Sequence, residues 1–240
     1  MAAKAAPVAS VWAREQREPD QPGLSRAGIV REAIAMLDAE GVEALSMRKL
    51  GARLNAGATS LYRHVATKDE LMELAVDEVA AEISVPPPGG ADWRADVTAA
   101  ARSFRDASLR HPWLSSQLGQ AGLAYLGPNL MAYSEKLAAL VTVVGFEEPS
   151  RAIDVVFAYV IGMTTTESAW LATIARSGET EAEFIANRMP AALVAASDHA
   201  HLTAAYGTVA PDPVAIREDK FTDGLEIILD GLEGRLNARR

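Results

Sequence analysis

Apolar residues recur along most of the chain at intervals of three and four positions, the spacing that aligns side chains on one face of an α-helix. Between Ser25 and Gly41, one such face is formed by Ile29, Val30, Ala33, Ile34 and Leu37. Ser25 is a favourable N-cap and Gly41 a favourable terminator, so these residues predict a helix over 25–40. No strand-like alternation of useful length follows later in the chain. We therefore expect an all-α protein.

The pattern over residues 46–65 predicts two short helices joined by a tight turn. The first helix begins after a capping Ser46 and has an apolar residue at every third or fourth position. Asn55-Ala56-Gly57 then breaks the pattern with residues that tolerate positive φ. In the second helix Leu61 and Val65 are expected to point inward. This leaves a polar group on or near the outside, namely Thr59, Ser60, Tyr62, Arg63 and His64.

A third helix is predicted to begin after Thr67, with Glu70 as its capping-box partner. It should end before Pro86-Pro87-Pro88-Gly89-Gly90, which is the one clear break in composition. We therefore predict three parts: a mobile N-terminal arm over 1–23, a helical domain over 24–85 and a second helical domain over 90–240.

Beyond residue 90 the pattern predicts helices over 92–110, 128–144, 149–176, 179–197 and 218–237, a corner at His111-Pro112-Trp113 and a loop over 198–216. The helix over 149–176 is apolar on every side, and such a helix must be buried on every side. Polar residues around Glu167 interrupt it and disfavour a membrane span. We expect this helix to lie between a core and a subunit interface.

The net charge of −9 is unevenly distributed along the chain. Residues 1–68 have a net charge of +3, and residues 69–240 have −12. Segment 46–68 contains five basic residues and no acidic one. A basic helix pair on an acidic protein is a focused footprint for DNA. Charge alone would fit a solvated helical hairpin equally well, but the polar outward helix favours DNA.

The run GVEALSMRKLGARLNAGATSLYRHVATKDELMELAVDEV resembles the DNA-binding domain of TetR-type transcriptional regulators. The resemblance rests on the ordered set of Gly41, Ser46, the turn, Leu61-Tyr62-Arg63-His64-Val65 and Lys68, and it covers residues 25–80. The turn departs from the family pattern, because Asn55-Ala56-Gly57 replaces the commoner Gly-Val-Ser. Gly57 therefore offers no side-chain oxygen to cap the reading helix. The resemblance implies an N-terminal helix-turn-helix domain that binds DNA.

The resemblance also indicates which side chains should contact DNA. We expect three to reach base edges: Thr59, Ser60 and Arg63. Arginine is suited to this role because its guanidinium pairs with guanine O6 and N7. Three more should hold phosphates, which positions the helix without reading sequence: Tyr62, His64 and Lys68. Two residues near the start of the preceding helix should lie close to the DNA backbone and groove edge: Arg48 and Lys49.

Large side chains on separate helices after residue 90 predict a small-molecule site. They are Phe104, Trp113, Tyr125, Met131, Phe157, Met163 and Trp170. Polar groups could come from Thr164, Thr165 and Glu167, since ligand sites are mostly apolar with a few placed polar groups. Each large residue alone is explained as well by core packing, but the resemblance implies an effector pocket here. Glu167 is either paired structurally or meets a ligand.

The last predicted helix has an apolar stripe formed by Phe221, Leu225, Ile228, Leu229, Leu232 and Leu236. Ordinary core packing would explain this stripe. However, FTDGLEIILDGLEGRL resembles the closing helix of the TetR-like C-terminal domain, in which two helices from each subunit form a four-helix dimer interface. The resemblance therefore implies a homodimer interface containing Phe221, Leu225, Ile228 and Leu232.

Other chemistry is weakly indicated. His199-x-His201 lacks a third ligand nearby in sequence, so we expect no metal and no cofactor. The chain has no cysteine and no signal-peptide pattern, which fits the cytoplasm. We interpret the chain as a ligand-responsive repressor that binds a pseudo-palindromic operator as a homodimer and is released by a small, largely apolar molecule. The alternatives are a helical small-molecule-binding enzyme and a protein-interaction module, each with an accessory helix-turn-helix.

Overall fold

The computed structural model describes residues 10–13, 24–121, 127–146, 148–207 and 212–238. These residues form helices and connecting turns, with no strand among them, which confirms the predicted all-α fold. The α-helices are α1 (Arg26–Glu40), α2 (Met47–Arg53), α3 (Ala58–Leu61), α4 (Lys68–Ala80), α5 (Trp93–Arg110), α6 (Leu114–Ala121), α7 (Pro128–Val144), α8 (Pro149–Ser177), α9 (Glu181–Ala195), α10 (Ala200–Gly207) and α11 (Pro213–Asn237). Two 3-10 turns cover Val11–Ala13 and Val42–Ala44.

The later helix boundaries differ from the predicted ones. Helix α6 follows the predicted corner directly, and α10 lies within the segment predicted as a loop. Helix α11 begins at Pro213, where Asp212 accepts hydrogen bonds from the first free N–H groups of the helix. An Asp N-cap followed by proline is a strong start signal, so the predicted start at residue 218 is wrong.

Helix caps account for the boundaries of the N-terminal helices. Ser25 Oγ accepts from Gly28 N, Ser46 Oγ from Lys49 N, and Thr67 Oγ1 from Glu70 N, each within 3.2 Å. The predicted reciprocal bond at α4 is shifted by one residue, because the Glu70 carboxylate accepts from Ala66 N rather than from the cap.

The first three helices pack around the predicted core, in which Ile29, Leu50 and Leu61 are fully buried. The turn after α2 closes tightly onto that helix, since Ala56 N donates to Gly51 O at 2.8 Å. A Cβ on Gly51 would lie 2.7 Å from Ala56 O, so only glycine fits at this position. Asn55 adopts the positive φ, 51°, that the turn residues were expected to tolerate.

Helix α4 is buried on nearly every side, although the sequence predicted one buried face. It packs against α1 and α7, and its three buried carboxylates belong to Glu70, Glu73 and Asp77. Glu73 accepts hydrogen bonds from Ser10 Oγ and from Val11 N, the latter at 2.9 Å. Residues 10–13 therefore pack on α4, which differs from the predicted mobile arm; the rest of that arm, residues 1–9 and 14–23, lies outside the described residues.

Packing divides the chain into two compact units, Met1–Thr164 and Thr165–Arg240. The division falls inside α8, whereas the sequence places a domain boundary at residues 86–90. That boundary stays a prediction. Among the described helices, α8 is the one with sufficient length and apolar composition to cross a membrane, yet only 17% of its most apolar window is buried. The single chain therefore leaves part of α8 uncovered, and the prediction that a second subunit covers it stays a prediction.

Candidate DNA interface and effector site

The predicted reading helix is one turn of α-helix followed by a tighter turn. Helix α3 ends at Leu61, and the chain continues through bonds from His64 N and Val65 N to the Leu61 carbonyl, both at 2.9 Å. Leu61 and Val65 are fully buried, as their spacing predicted. Gly57 caps α3 without a side-chain hydrogen bond, which follows from its missing side chain.

Most of the expected DNA contacts lie on an open basic face, which is formed by α2, α3 and the two residues that follow α3. Arg48, Thr59 and Arg63 are exposed, Tyr62 is 50% exposed and Ser60 is half-buried. Within the described part of the chain, neither arginine forms an ion pair. This face presents donors, acceptors and positive charge to the solvent, which are the groups that contact phosphates and base edges.

Two other basic residues of α2, Lys49 and Arg53, are paired with carboxylates of α1. Lys49 Nζ pairs with the Glu40 carboxylate of α1, and that hydrogen bond lowers the pKa of Glu40. Arg53 Nε lies 2.5 Å from Glu32 Oε1, and its second nitrogen lies 3.4 Å from Glu40. Lys49 can contact DNA only by exchanging Glu40 for a phosphate, so its net contribution should be smaller than its charge suggests.

Lys68 and His64 are also less available to DNA than the sequence predicted. Lys68 Nζ donates to the Val42 carbonyl at 3.3 Å, which joins the start of α4 to the 3-10 turn after α1. His64 was predicted on or near the outside with a phosphate contact, but it is only 3% exposed. Both of its ring nitrogens are buried without a hydrogen-bond partner among the described residues. The reason is its position three residues after Leu61, which puts both side chains on the same inward face.

Three aromatic rings from α5, α7 and α8 meet in the first compact unit. The centroid of Phe104 lies 5.2 Å from that of Phe157 and 6.3 Å from that of Tyr133, and the last two are 6.2 Å apart. Burial raises the pKa of Tyr133. Sequence reasoning proposed the two phenylalanines for this site and missed Tyr133, although its position three residues after Leu130 was a usable signal. Nearby in sequence, Met163 is half-buried.

A buried hydroxyl pair joins α6 to α8 in the same unit. Ser115 Oγ and Thr164 Oγ1 are 2.7 Å apart, and Thr164 also bonds to the Val160 carbonyl at 2.8 Å. Both residues are fully buried. Thr164 was predicted as a polar ligand group, and the structure gives it a hydroxyl partner that the sequence did not indicate.

Three other predicted effector residues remain. Met131 is exposed, Trp113 is buried with its polar atom paired, and Tyr125 lies outside the described residues. Met131 is 43% exposed, so it faces solvent in the single chain. Trp113 is buried, but its indole N–H donates to Asp38 Oδ1 of α1 at 2.7 Å. The indole N–H of Trp113 is therefore hydrogen-bonded to α1. Tyr125 falls outside the described residues.

In the second compact unit, Glu167 and Trp170 belong to a partly buried ion cluster. Arg217 Nε lies 3.0 Å from Glu167 Oε1, and Arg217 also pairs with Glu181. The indole N–H of Trp170 donates to Glu181 Oε1 at 2.6 Å. Burial lowers the pKa of Arg217, but hydrogen bonds to the two carboxylates outweigh it and leave the pKa above its usual value. Of the two alternatives for Glu167, the structural pair is the one observed in this structure. The ligand role of Glu167 and Trp170 stays a prediction.

The predicted dimer stripe on α11 is partly internal to the chain. Phe221 and Leu225 are each 1% exposed, so they cannot face a second subunit. Ile228 and Leu232 are half-buried, whereas Ile227, which the sequence analysis did not select, is 71% exposed. Residues four apart face the same way on a helix, so the stripe through Phe221 and Leu225 forms core and the available apolar surface lies beside it.

Metal binding was also considered for the histidines at the start of α10. His199 and His201 are both exposed. In the described part of the chain, no three His, Cys, Asp or Glu residues are grouped in a way that could hold a metal ion.

Comparison with protein families gives two matches that together cover most of the chain. Residues 29–75 match the model for bacterial regulatory proteins of the tetR family. Residues 85–236 match the model for the tetracyclin repressor-like C-terminal domain. The chain is also similar to the HTH-type transcriptional repressor DrrR1 of Streptomyces coeruleorubidus, with 36% identity over 95% of this chain and 83% of that protein.

Two solved structures show similar folds with bound partners. One is the TetR family protein ActR of Streptomyces coelicolor in complex with actinorhodin, which is 30% identical with a TM-score of 0.70, over 89% of this chain and 98% of that one. The other is BioQ with its double-stranded DNA operator, which is 26% identical with a TM-score of 0.53, over 65% of this chain and 93% of that one. Because the C-terminal model alone covers more than half of the sequence and agrees with the N-terminal match and with DrrR1, the chain belongs to the TetR family of bacterial transcriptional regulators.

Proposed function

We propose that this regulator is a repressor that binds a pseudo-palindromic operator as a homodimer and leaves it when a small, largely apolar molecule binds. The observation that carries the proposal is the open basic face of α2 and α3, on which Arg48 and Arg63 point to solvent without an ion pair among the described residues. On a chain of net charge −9, such a face directs DNA to one surface. Similarity to DrrR1, a transcriptional repressor, supports the sign of regulation.

The proposed roles on DNA follow from exposure. Arg63, Thr59 and Ser60 contact base edges, while Tyr62 and Arg48 contact phosphates. Lys49 and Lys68 make secondary phosphate contacts, because each first has to leave an intramolecular partner. His64 is buried and supports the reading helix from the interior. The BioQ structure with its operator supports the same overall mode of binding for this fold.

The homodimer is proposed on the surfaces of α8 and α11. Helix α8 is apolar and only partly buried in the single chain, with Val155 50% exposed, and α11 exposes Ile227. Exposed apolar side chains on these helices are available for contact with a second subunit. A second copy of the chain would cover it and place two reading helices on half-sites about 34–36 Å apart. Action on DNA then places the protein in the cytoplasm.

The effector is proposed to bind beside the ring cluster of Phe104, Tyr133 and Phe157. Rings at these distances present edges and faces on which a flat apolar molecule can stack. The buried hydroxyls of Ser115 and Thr164 are candidate polar contacts. ActR has been crystallised with actinorhodin, which supports actinorhodin as a first probe for this chain.

The test is selection of bound duplexes from a random library by the full-length protein, followed by competition with actinorhodin. We expect the selected sequences to contain two inverted half-sites, and the complex to contain two copies of the chain. Enrichment of a single unpaired half-site, or a complex with one copy, would contradict the dimer. No enrichment at all would contradict DNA reading by α3.

A further inference from the structure

The corner between α5 and α6 is tied to the N-terminal helices by two side chains. Trp113 Nε1 lies 2.7 Å from Asp38 Oδ1, and His111 Nδ1 lies 2.8 Å from the same oxygen. Asp38 stands near the end of α1, 73 positions before His111. A single oxygen of Asp38 on α1 therefore contacts two ring nitrogens of the corner between α5 and α6.

The other side of the histidine ring faces the end of α4. His111 Nε2 lies 3.3 Å from Glu82 Oε1, and the second oxygen of Glu82 accepts from Arg110 at 2.8 Å. Burial raises the pKa of Glu82, but the Arg110 hydrogen bond and the charges of Arg110 and His111 together bring it below the usual value. A ring with both nitrogens protonated can donate to Asp38 and Glu82 at once. The corner is thus held between α1 and the residues that follow α4.

The backbone of the corner is hydrogen-bonded to both flanking helices. His111 N donates to the Ala107 carbonyl at 2.9 Å, Leu114 N donates to the His111 carbonyl at 2.9 Å, and Ser116 Oγ donates to the Trp113 carbonyl at 2.8 Å. Trp113 is only 4% exposed, and a buried indole N–H must be paired. A shift of α5 or α6 therefore has to move the partners of Trp113 and His111 or break their bonds.

We infer that Trp113 and His111 are positioning residues that couple the effector region to the DNA-binding helices, through Asp38 on α1 and Glu82 after α4. The inference rests on the proposed function. It gives Trp113 a role different from the predicted effector contact, since the polar end of its indole is bound to Asp38 of α1. Coupling between two binding sites is reciprocal, so operator binding should change the conformation or dynamics of the same corner.

Reciprocity allows a test that does not require the natural effector. Amide hydrogen exchange of full-length protein is measured with and without the selected operator duplex, for wild type, Trp113→Phe and Asp38→Asn. The control is Trp93→Phe, the same substitution at the start of α5, where the ring instead packs edge-on against Phe146 at 5.5 Å. Glu82→Gln is a further variant, because its partly exposed side chain makes misfolding a small risk.

In wild type and in Trp93→Phe, we expect saturating operator to change the exchange of peptides that cover α5 and α6. Trp113→Phe and Asp38→Asn should lose that change while still binding operator, and Glu82→Gln should reduce it. Full retention of the change in Trp113→Phe and Asp38→Asn would overturn the inference. So would the absence of any change in wild type with bound operator. Failure to select any duplex would instead contradict the proposed function, which keeps the two failures distinct.

Discussion

Asp77 of α4 caps α7 from outside that helix: its Oδ1 accepts the backbone N–H groups of Asn129 and Leu130, both at 2.9 Å. The N-cap residue of α7, Gly127, has no side chain that could do this. A carboxylate at the N-terminus of a helix also interacts favourably with the positive end of the helix dipole. Asp77 therefore fastens α4 to the start of α7.

Gly127→Ala should destabilise the protein through this contact. A Cβ at Gly127 would overlap the Asp77 carboxylate, although the backbone φ of −64° would suit any residue. Either the carboxylate leaves its two N–H donors or α7 moves, and a cost of about 1–3 kcal/mol is expected. The matched control is Gly234→Ala in α11, where a Cβ meets nothing within 4 Å. That control should be neutral or stabilising in urea unfolding; equal losses for both variants would contradict the cap.

Glu82→Gln should alter the pH dependence of stability. The folded-state pKa of Glu82 is lowered, so its stabilising contribution is present above the unfolded value near 4.5 and is lost as pH falls through the folded value. Because the side chain is 42% exposed, solvent screening should keep the contribution below about 1 kcal/mol. Thermal unfolding of wild type and variant should therefore differ above the unfolded-state pKa of Glu82 and converge in acid, once pH is below its lowered folded-state pKa. If the stability difference between wild type and Glu82→Gln instead grew as pH fell, the folded-state pKa of Glu82 would be raised and not lowered.

The partly buried ion cluster of the second unit is the basis of a third prediction. Arg217→Met leaves two largely buried carboxylates, Glu167 and Glu181, without their cation and should cost about 3–5 kcal/mol. Glu167→Gln, in contrast, keeps a hydrogen-bond acceptor and leaves Arg217 paired with Glu181, so its cost should be smaller. Urea unfolding monitored by Trp fluorescence measures both. A larger loss for Glu167→Gln than for Arg217→Met would show that the cluster is organised around Glu167 instead.

Much of the fold could be predicted from the sequence because helix patterns are local. Caps at Ser25, Ser46 and Thr67 and the inward pair Leu61 and Val65 are all observed. Membership of the TetR family also confirms the prediction of a DNA-binding regulator and not an enzyme. His64 was misplaced because the motif resemblance was weighed above its spacing from Leu61.

What the sequence did not reveal depends on partners distant in the chain. Trp113 looked like an effector contact until its partner Asp38 was known, and Glu167 looked like a ligand group until Arg217 was placed beside it. In each case the side chain is large or buried, as expected, but its polar atom is satisfied by a residue 50 or more positions away. Residue type and helical spacing carry no information about such pairs.

Two substitutions on α11 should separate the dimer surface from the core. Leu225 is 1% exposed, so Leu225→Glu buries an unpaired charge and should unfold the chain. Ile227 is 71% exposed, so Ile227→Glu should leave the single chain folded but weaken the proposed dimer. Sedimentation and circular dichroism distinguish these outcomes. A folded, fully dimeric Ile227→Glu protein would place the interface elsewhere on α8 or α11.

The last prediction contrasts Arg48 and Lys49, two adjacent basic residues on α2. Arg48 is exposed without an ion pair among the described residues, whereas Lys49 is paired with Glu40. A free cation that binds a phosphate releases a counterion, so Arg48→Ala should reduce the slope of log affinity against log salt by about 1. Lys49→Ala should reduce it less, because its charge is already neutralised in the unbound protein.

Arg63→Ala completes this comparison as the test of base reading. It should cost about 1–3 kcal/mol on the selected operator and relax preference at one base pair, because an arginine pair with guanine discriminates against other bases. Arg48→Ala should weaken binding to selected and random duplexes alike. Fluorescence anisotropy titrations over a range of salt concentrations measure all three variants. Equal losses on both duplexes for Arg63→Ala would show that Arg63 contributes charge alone, and a steeper salt effect for Lys49→Ala than for Arg48→Ala would show that DNA readily displaces Glu40.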